Sequence, residues 1–315
     1  MNLLKKIAKV SVVIPTYNRY NELKKKLDFF LNIKNSNFEV VIIDDGSTDG
    51  TKYLVIDFKK KAKFQIKYLY QDNQGLSKSL QRGIMNSSGY YIIFQGSDDL
   101  FITDVFNEFM MGNYDSVLSS DKTAGIVFRC KDHNGNSISP ACNVEQLNKY
   151  SYQQFNKNNR GDKKIFIKNN IYKKIIKKYL NFNNHVPNSV YFMDIDQEYD
   201  FYFSNSIIGI KSYLEGGITK NYFSHIRKNP NGWLILSSKI INLKYKFSIH
   251  FFILKVKQYI NFSKYLIFSL TVNARISHLD KISFLSCLLI VLFSPFGLIL
   301  FAYDKLKNIF KIESK

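Results

Sequence analysis

Cysteine is scarce in this chain. Its 315 residues include only three, Cys130, Cys142 and Cys287, set far apart and without a C-x-x-C pair. That spacing excludes a disulfide framework or a zinc site and fits a reducing compartment. Acidic residues are also in short supply, with 25 Asp and Glu against 45 Lys and Arg, for a net charge of +20. Part of this excess belongs to a composition rich in Lys, Asn, Ile, Tyr and Phe; the rest points to an anionic partner. A recognised nucleic-acid module is missing. The basic residues accompany apolar runs rather than an aromatic stacking platform, so nucleic acid is set aside as a partner. The opening stretch MNLLKKIAKVSVVIP lacks the apolar region and cleavage site of a signal peptide, and the N-terminus reads as cytoplasmic. Finally, no G-x-G-x-x-G follows the first apolar run, which argues against a dinucleotide dehydrogenase.

Residues 10 to 95 alternate short apolar runs with segments of helical period. VSVVIP reads as a first strand. A helix follows over about 19 to 32, with Leu23, Leu27, Phe30 and Leu31 on one face. FEVVIID reads as a second strand, and Asp49 stands at a helix N-cap before TKYLVIDFKK. QIKYLY alternates as a half-buried strand, Leu76, Leu80 and Ile84 mark a helix, and YYIIFQ is a fourth strand. This order predicts an α/β fold with a mixed, mainly parallel, Rossmann-like sheet flanked by helices. From 113 to 190 the pattern weakens, although GIVFRC reads as a strand and DHNGN as a turn; this region is expected to complete the sheet.

After Trp233 the composition changes. Residues 234–315 hold twelve Lys or Arg and three acidic residues between long apolar runs. ISFLSCLLIVLFSPFGLILFAY, residues 282–303, is free of charge. As one helix it would reach about 33 Å, enough to cross a bilayer core of about 30 Å. Pro295 and Gly297 interrupt it, so a kinked or re-entrant course stays open. Residues 246–270 keep lysines among aromatic and aliphatic residues, as a helix lying in a membrane interface would. The expected division is a catalytic domain over 1–233 and a basic, apolar, membrane-associating helical region over 234–315. An anionic membrane surface is the expected partner of the latter.

Ligands of open α/β sheets bind beyond the carboxyl ends of the strands. Those ends carry PTYNR, DDGSTDG, QDNQG and QGSDD, a rim rich in carboxylates in a basic chain. Carboxylates there can accept hydrogen bonds from a nucleoside or hold a hard divalent cation beside a diphosphate. Asp44, Asp45 and Asp98 or Asp99 share that predicted edge.

VSVVIPTYNR, FEVVIIDDGSTDGT, DNQGLSKSLQRGIMNSSGYYIIFQGSDD and QEYDFYF, in this order, resemble glycosyltransferase family 2 on a GT-A fold, over roughly residues 10 to 230. The resemblance implies a nucleotide-sugar donor, Mn²⁺ or Mg²⁺ as cofactor, and inversion at the anomeric carbon. It places Thr16, Tyr17 and Asp45 on the nucleoside and gives Asp44 support of the strand-end loop. The family's Asp-x-Asp metal motif falls on Gly96, Ser97 and Asp98, so its first carboxylate is missing. Asp98 then takes the metal position, with Ser97 and Asp99 beside it in the donor set. The family's Glu-Asp pair before an aromatic helix falls on Gln197 and Glu198, which makes Glu198 the expected catalytic base, with Asp196 and Asp200 as alternatives. In NYFSHIRKNPNGW, His225 is an expected metal ligand, and Arg227 or Lys228 would hold the diphosphate.

The implied activity is sugar transfer to a lipid-linked glycan acceptor at the cytoplasmic face of the cell membrane, in surface polysaccharide assembly. Polyprenyl phosphate is an alternative acceptor. From a different class, Gly96 and Gln197 would suit a catalytically weak nucleotide-sugar-binding scaffold.

Overall fold

The computed structural model describes residues 9–96, 99–141, 145–150, 161–182, 185–211, 226–244, 249–271 and 279–313. Strand β1 (Val10–Thr16) and strand β2 (Phe38–Asp44) are buried at every position, as near-continuous β-branched runs in the middle of a parallel sheet should be. Between them α1 (Tyr20–Leu31) buries Leu23, Leu27 and Phe30, spaced four and three apart on one face. Leu31, expected on the same face, is turned to the surface, while Lys26 is fully buried.

The chain continues through α2 (Thr51–Lys61), β3 (Gln65–Tyr70), α3 (Leu76–Asn86) and β4 (Tyr91–Phe94). β1 to β4 pair in parallel, in the order β3-β2-β1-β4. Helix α3 lies tight on this sheet at Gly83, where a Cβ would run into the side chains of Val13 and Ile43.

Beyond β4 come β5 (Leu100–Phe101), α4 (Thr103–Met111), α5 (Asp115–Leu118), β6 (Thr123–Lys131), β7 (Gln146–Asn148), β8 (Lys163–Lys168), α6 (Asn169–Lys177), α7 (Asn188–Ile195) and β9 (Asp200–Ile210). β8 adds antiparallel to β4, and the order runs on through β6, β9 and β5, with β7 also on β9. The mixed, helix-flanked α/β sheet is therefore present, and GIVFRC lies within β6 as read. The segment YDFYF is a correction to the reading from resemblance. It is strand β9 and not an aromatic helix, because Phe201 and Phe203 alternate inward and pair with β6.

The chain forms two compact units, Met1–Asn183 with Asp194–Glu215 and Asn184–Met193 with Gly216–Lys315. In the first, α1, α4 and the sheet enclose an aromatic core around Phe30, Phe38, Phe101, Phe106, Phe109 and Phe166. Phe109 and Phe166 have ring centroids 4.2 Å apart, and Phe101 stacks on Phe106 at 5.0 Å. In the second, α8 (Pro230–Asn242), α9 (Ile249–Thr271) and α10 (Phe284–Glu313) share a core of Leu234, Ile241, Tyr259, Phe262, Tyr265 and Phe268.

A charged cluster lies inside the first unit. Asp99, 2% exposed, takes the Lys164 ammonium at 2.6 Å and that of Lys211 at 2.8 Å on the same carboxylate oxygen. Its backbone carbonyl accepts from the buried Lys26 ammonium and from Gln95 Nε2 at 2.9 Å. Burial alone would raise the Asp99 pKa, but the two ammoniums outweigh it and hold the carboxyl down at about 2. Burial pulls Lys164 downward, whereas Asp99 and Asp162 outweigh burial at Lys211 and raise it.

Removing one partner from a buried pair strands the other charge, and Asp99→Ala should destabilise the fold by about 3–5 kcal/mol at pH 7. Because the folded pKa lies below the unfolded value of about 3.9, the stabilisation is complete above that value. It is lost as pH falls from about 4 towards about 2. Urea unfolding at pH 7, 4 and 3 checks this. Asp99→Asn should lose the acid-labile component, and equal acid sensitivity in both proteins would contradict it.

Candidate active site at the carboxyl edge of the sheet

Register brings the ends of β1, β2 and β3 together. Thr16 lies opposite Asp44, and Asp44 opposite Tyr70. The ladder runs one step further, since Asp45 N–H donates to the Thr16 carbonyl and Gln71 N–H to that of Asp44, both at 2.9 Å.

Each carboxylate at this edge has its own task. Asp44, 1% exposed, accepts from Ser47 N–H at 2.8 Å and from the Tyr68 hydroxyl at 2.5 Å. Burial, and then the bond to Asp44, push the Tyr68 phenol upward in pKa. Asp45 accepts from Gln71 Nε2 at 2.7 Å, Gln74 N–H at 2.9 Å and Gly75 N–H at 2.8 Å. It thereby shapes the whole loop between β3 and α3, where Gly75 takes a φ of 83° that favours glycine. Asp49 joins two helix starts. One oxygen accepts from Tyr20 N–H at 2.8 Å, and the other from Thr51 N–H at 3.3 Å and Thr51 Oγ1 at 2.6 Å. Its expected capping role extends to α1 as well, while Gly50 holds the formal N-cap of α2. Asn18 ties the two loops by donating its N–H to Ser47 Oγ at 2.9 Å and accepting Thr48 N–H at 2.8 Å.

The edge is thus ordered by its own hydrogen bonds and still offers free groups. Thr16 Oγ1 is buried without a hydrogen-bond partner. Such an atom carries a desolvation cost that a bound ligand would relieve. Tyr17, next in sequence, is half exposed.

Asp196, Gln197 and Glu198 form the turn between α7 and β9, and Asp200 opens β9 opposite Thr123, level through β6, β8 and β4 with the start of β1. The turn therefore lies at the amino edge of the sheet, away from Asp44 and Asp45, which corrects the expectation that Glu198, Asp196 or Asp200 serves this site as base. Glu198 is exposed and accepts from Lys174 on α6 at 2.6 Å; that hydrogen bond holds its carboxyl below the usual carboxylate range. Asp196 is buried and accepts the Tyr150 N–H at 2.6 Å. Asp200 pairs with Lys149 at 2.9 Å. Of the other expected residues, Asp99 is turned inward onto its two lysines, and Arg227, in the second unit, donates to the Asp304 carbonyl at 3.5 Å. Ser97, Asp98 and His225 lie outside the described residues.

Among the described residues no three of His, Cys, Asp and Glu come together to hold a metal ion. The carboxylates of Asp44, Asp45 and Asp99 are committed to protein donors and do not by themselves fit a cation. Sequence reading missed Tyr68, Gln71 and Asn18, which position these carboxylates. Gln71 in QDNQG and Asn18 in PTYNR, both at strand ends, carried a signal of place, whereas Tyr68 within QIKYLY carried none.

The family model described as glycosyl transferase family 2 matches residues 11–200, more than half of the chain. The chain belongs to glycosyl transferase family 2. An uncharacterized glycosyltransferase of Rickettsia bellii (strain RML369-C) is 47% identical over 103 residues, 32% of this chain and 15% of that protein. Glycosyltransferase GlyA of Streptococcus pneumoniae is 38% identical over 91 residues, 29% of this chain and 13% of GlyA. The poly(ribitol-phosphate) beta-N-acetylglucosaminyltransferase TarP of Staphylococcus aureus is 31% identical over 116 residues, 35% of this chain and 36% of TarP. The matched stretches therefore span well under half the length of these curated relatives.

Two solved structures share the GT-A fold. S. aureus TarS 1-349 in complex with UDP-GlcNAc is 15% identical with a TM-score of 0.54, covering 84% of this chain and 73% of that one. Mannosyltransferase PcManGT from Pyrobaculum calidifontis, in complex with GDP-Man and Mn²⁺, is 14% identical with a TM-score of 0.54, covering 96% and 87%.

The three bonds to Asp45 carry a stability prediction. Asp45→Ala leaves the Gln74 and Gly75 amides without their acceptor and should destabilise the loop by about 1–3 kcal/mol. Amide exchange at Gln74 and Gly75 should accelerate in the variant while α1 stays protected. Unchanged exchange would show that the loop is held by other contacts.

Proposed function

We propose that this chain is an inverting glycosyltransferase that moves a hexose or N-acetylhexosamine from a nucleoside-diphosphate sugar, UDP-linked, to a lipid-linked oligosaccharide during surface polysaccharide assembly. The observation that carries the reading is the carboxyl edge, where Thr16 Oγ1 stands buried and unpartnered among carboxylates already held in place. In this reading Thr16, Tyr17, Asp44, Asp45 and Ser97 meet the donor. Asp45 orders the 71–75 loop around it, and Asp99 anchors the segment next to Asp98 from inside the core.

In the transfer step, a carboxylate takes the proton of the acceptor hydroxyl as that oxygen attacks the anomeric carbon. The new glycosidic bond forms as the bond to the diphosphate breaks, and the electron pair leaves with the nucleoside diphosphate. Asp98 and His225 are the proposed metal ligands, for Mn²⁺ or Mg²⁺.

The name of TarP, an N-acetylglucosaminyltransferase acting on poly(ribitol-phosphate), supports a cell-surface polymer as acceptor, and the UDP-GlcNAc in TarS makes that donor the first to test. Among the described residues one helix, Phe284–Leu306, is long and apolar enough to cross a membrane, which supports membrane attachment; the proposed side is the cytoplasmic face. That apolar helix also favours polyprenyl phosphate as a second acceptor class; a monosaccharide phospholipid as product would select it.

Two variants separate the two edges of the sheet. Glu198→Gln, at the amino edge, should leave both donor affinity and transfer unchanged. Asp45→Ala should weaken donor binding itself. Calorimetry and single-turnover transfer read both. A Glu198→Gln protein that binds donor and fails to transfer would contradict this and put the base in the 196–200 turn.

A further inference from the structure

The course of α10 relative to α9 bears on how this chain meets a membrane. Tyr259 stacks on Phe293 with centroids 6.2 Å apart and planes 7° from parallel, and Phe268 meets Phe301 at 4.7 Å. Between them a Cβ on Gly297 would lie 2.8 Å from that of Ser263. Residues 259, 263 and 268 thus face 293, 297 and 301. The two helices run side by side in the same direction, and they touch at backbone distance near the middle of the apolar stretch.

On its other side α9 carries α8, running the opposite way. Ser269 Oγ donates to Asn231 Oδ1 at 2.6 Å, and Ser237 Oγ to Gln258 Oε1 at 3.0 Å.

This register places polar groups at the level of the apolar stretch. Lys255, Lys257 and Gln258 of α9 stand level with residues 289 to 292, and Asn261 and Lys264 with residues 295 to 298, near the centre of the 284–306 stretch. If α10 crossed a bilayer, α9 would be carried in alongside it, with the exposed Lys257 among lipid chains. Charged side chains are expensive at that depth. A helix in the interface plane keeps its apolar face in the acyl boundary and its lysines at the headgroups.

Leu292 and Ile299 of α10 and Phe252, Ile253 and Leu270 of α9 are exposed apolar residues spread along both helices, which lipid would cover in either course. Lys281 and Lys305 bracket α10.

We infer that α9 and α10 form a monotopic platform that lies along one leaflet of an anionic bilayer, with α10 embedded in the interface and not spanning the membrane. The inference rests on the membrane attachment proposed above and specifies its geometry. The basic excess from residue 234 onwards, twelve Lys and Arg against three acidic residues, supplies the attraction to anionic headgroups.

Cysteine labelling of the full chain in bacterial membrane vesicles tests it. In a Cys142→Ser, Cys287→Ser background, with Cys130 buried, single cysteines are placed at Lys281 or Lys305 at either end of the apolar stretch. A membrane-impermeant maleimide is then added to inverted and to right-side-out vesicles. The proposal expects both positions to label in inverted vesicles and both to be silent in right-side-out ones until detergent is added. Labelling of one end in each orientation would establish a spanning helix and overturn the proposal while preserving attachment. Recovery of the chain in the soluble fraction would instead overturn attachment itself.

Discussion

Three N–H donors converge on the Asp45 carboxylate, and the rest of the candidate site depends on that convergence. A carboxylate at a strand end draws in backbone amides that would otherwise need water, and a loop that gives up its amides to one acceptor has few other conformations. The loop between β3 and α3 is therefore set by the residue that follows β2, a strand buried at every position. Asp44 and Asp49 act in the same way on the loop after β2 and on the starts of α1 and α2. A donor arriving at this edge meets groups already in position, which lowers the ordering that binding would otherwise demand.

The buried charge cluster at Asp99 belongs to the same design. Lys26 on α1, Gln95 after β4 and Lys164 on β8 all reach for Asp99, from three separate elements of the sheet and its covering helix. Such a cluster is a poor route to stability compared with apolar packing, but it fixes where one residue must sit. Here that residue directly follows Asp98, which is proposed as a metal ligand.

Much of the fold was legible because local signals agreed. FEVVIID reads as a buried strand and is one to the residue, and the helix over 20–31 follows from Leu23, Leu27 and Phe30. DFYF could not be placed as surely. Its aromatic residues suit a helix by resemblance, and only pairing with β6, over seventy residues earlier, decides for a strand. Asp44 and Asp45 announced themselves as polar groups at the end of an apolar run. Asp99 looked the same in sequence, and its turn inward is set by lysines 65 and 112 positions away. Lys26, one lysine among three in KKK, carried no sign of burial. The apolar run near the C-terminus was plain, yet its alignment with a lysine-bearing helix depends on contacts that periodicity does not report.

The central claim is that the Thr16–Asp44–Asp45 edge receives a nucleoside-diphosphate sugar. The most direct test is a calorimetric screen of the purified full chain, in detergent with Mn²⁺, across UDP-, GDP- and dTDP-sugars. The account predicts saturable binding of one donor class, UDP-sugars, at one site per chain. Failure of every nucleotide sugar to bind would contradict it and leave a family 2 fold serving as a scaffold.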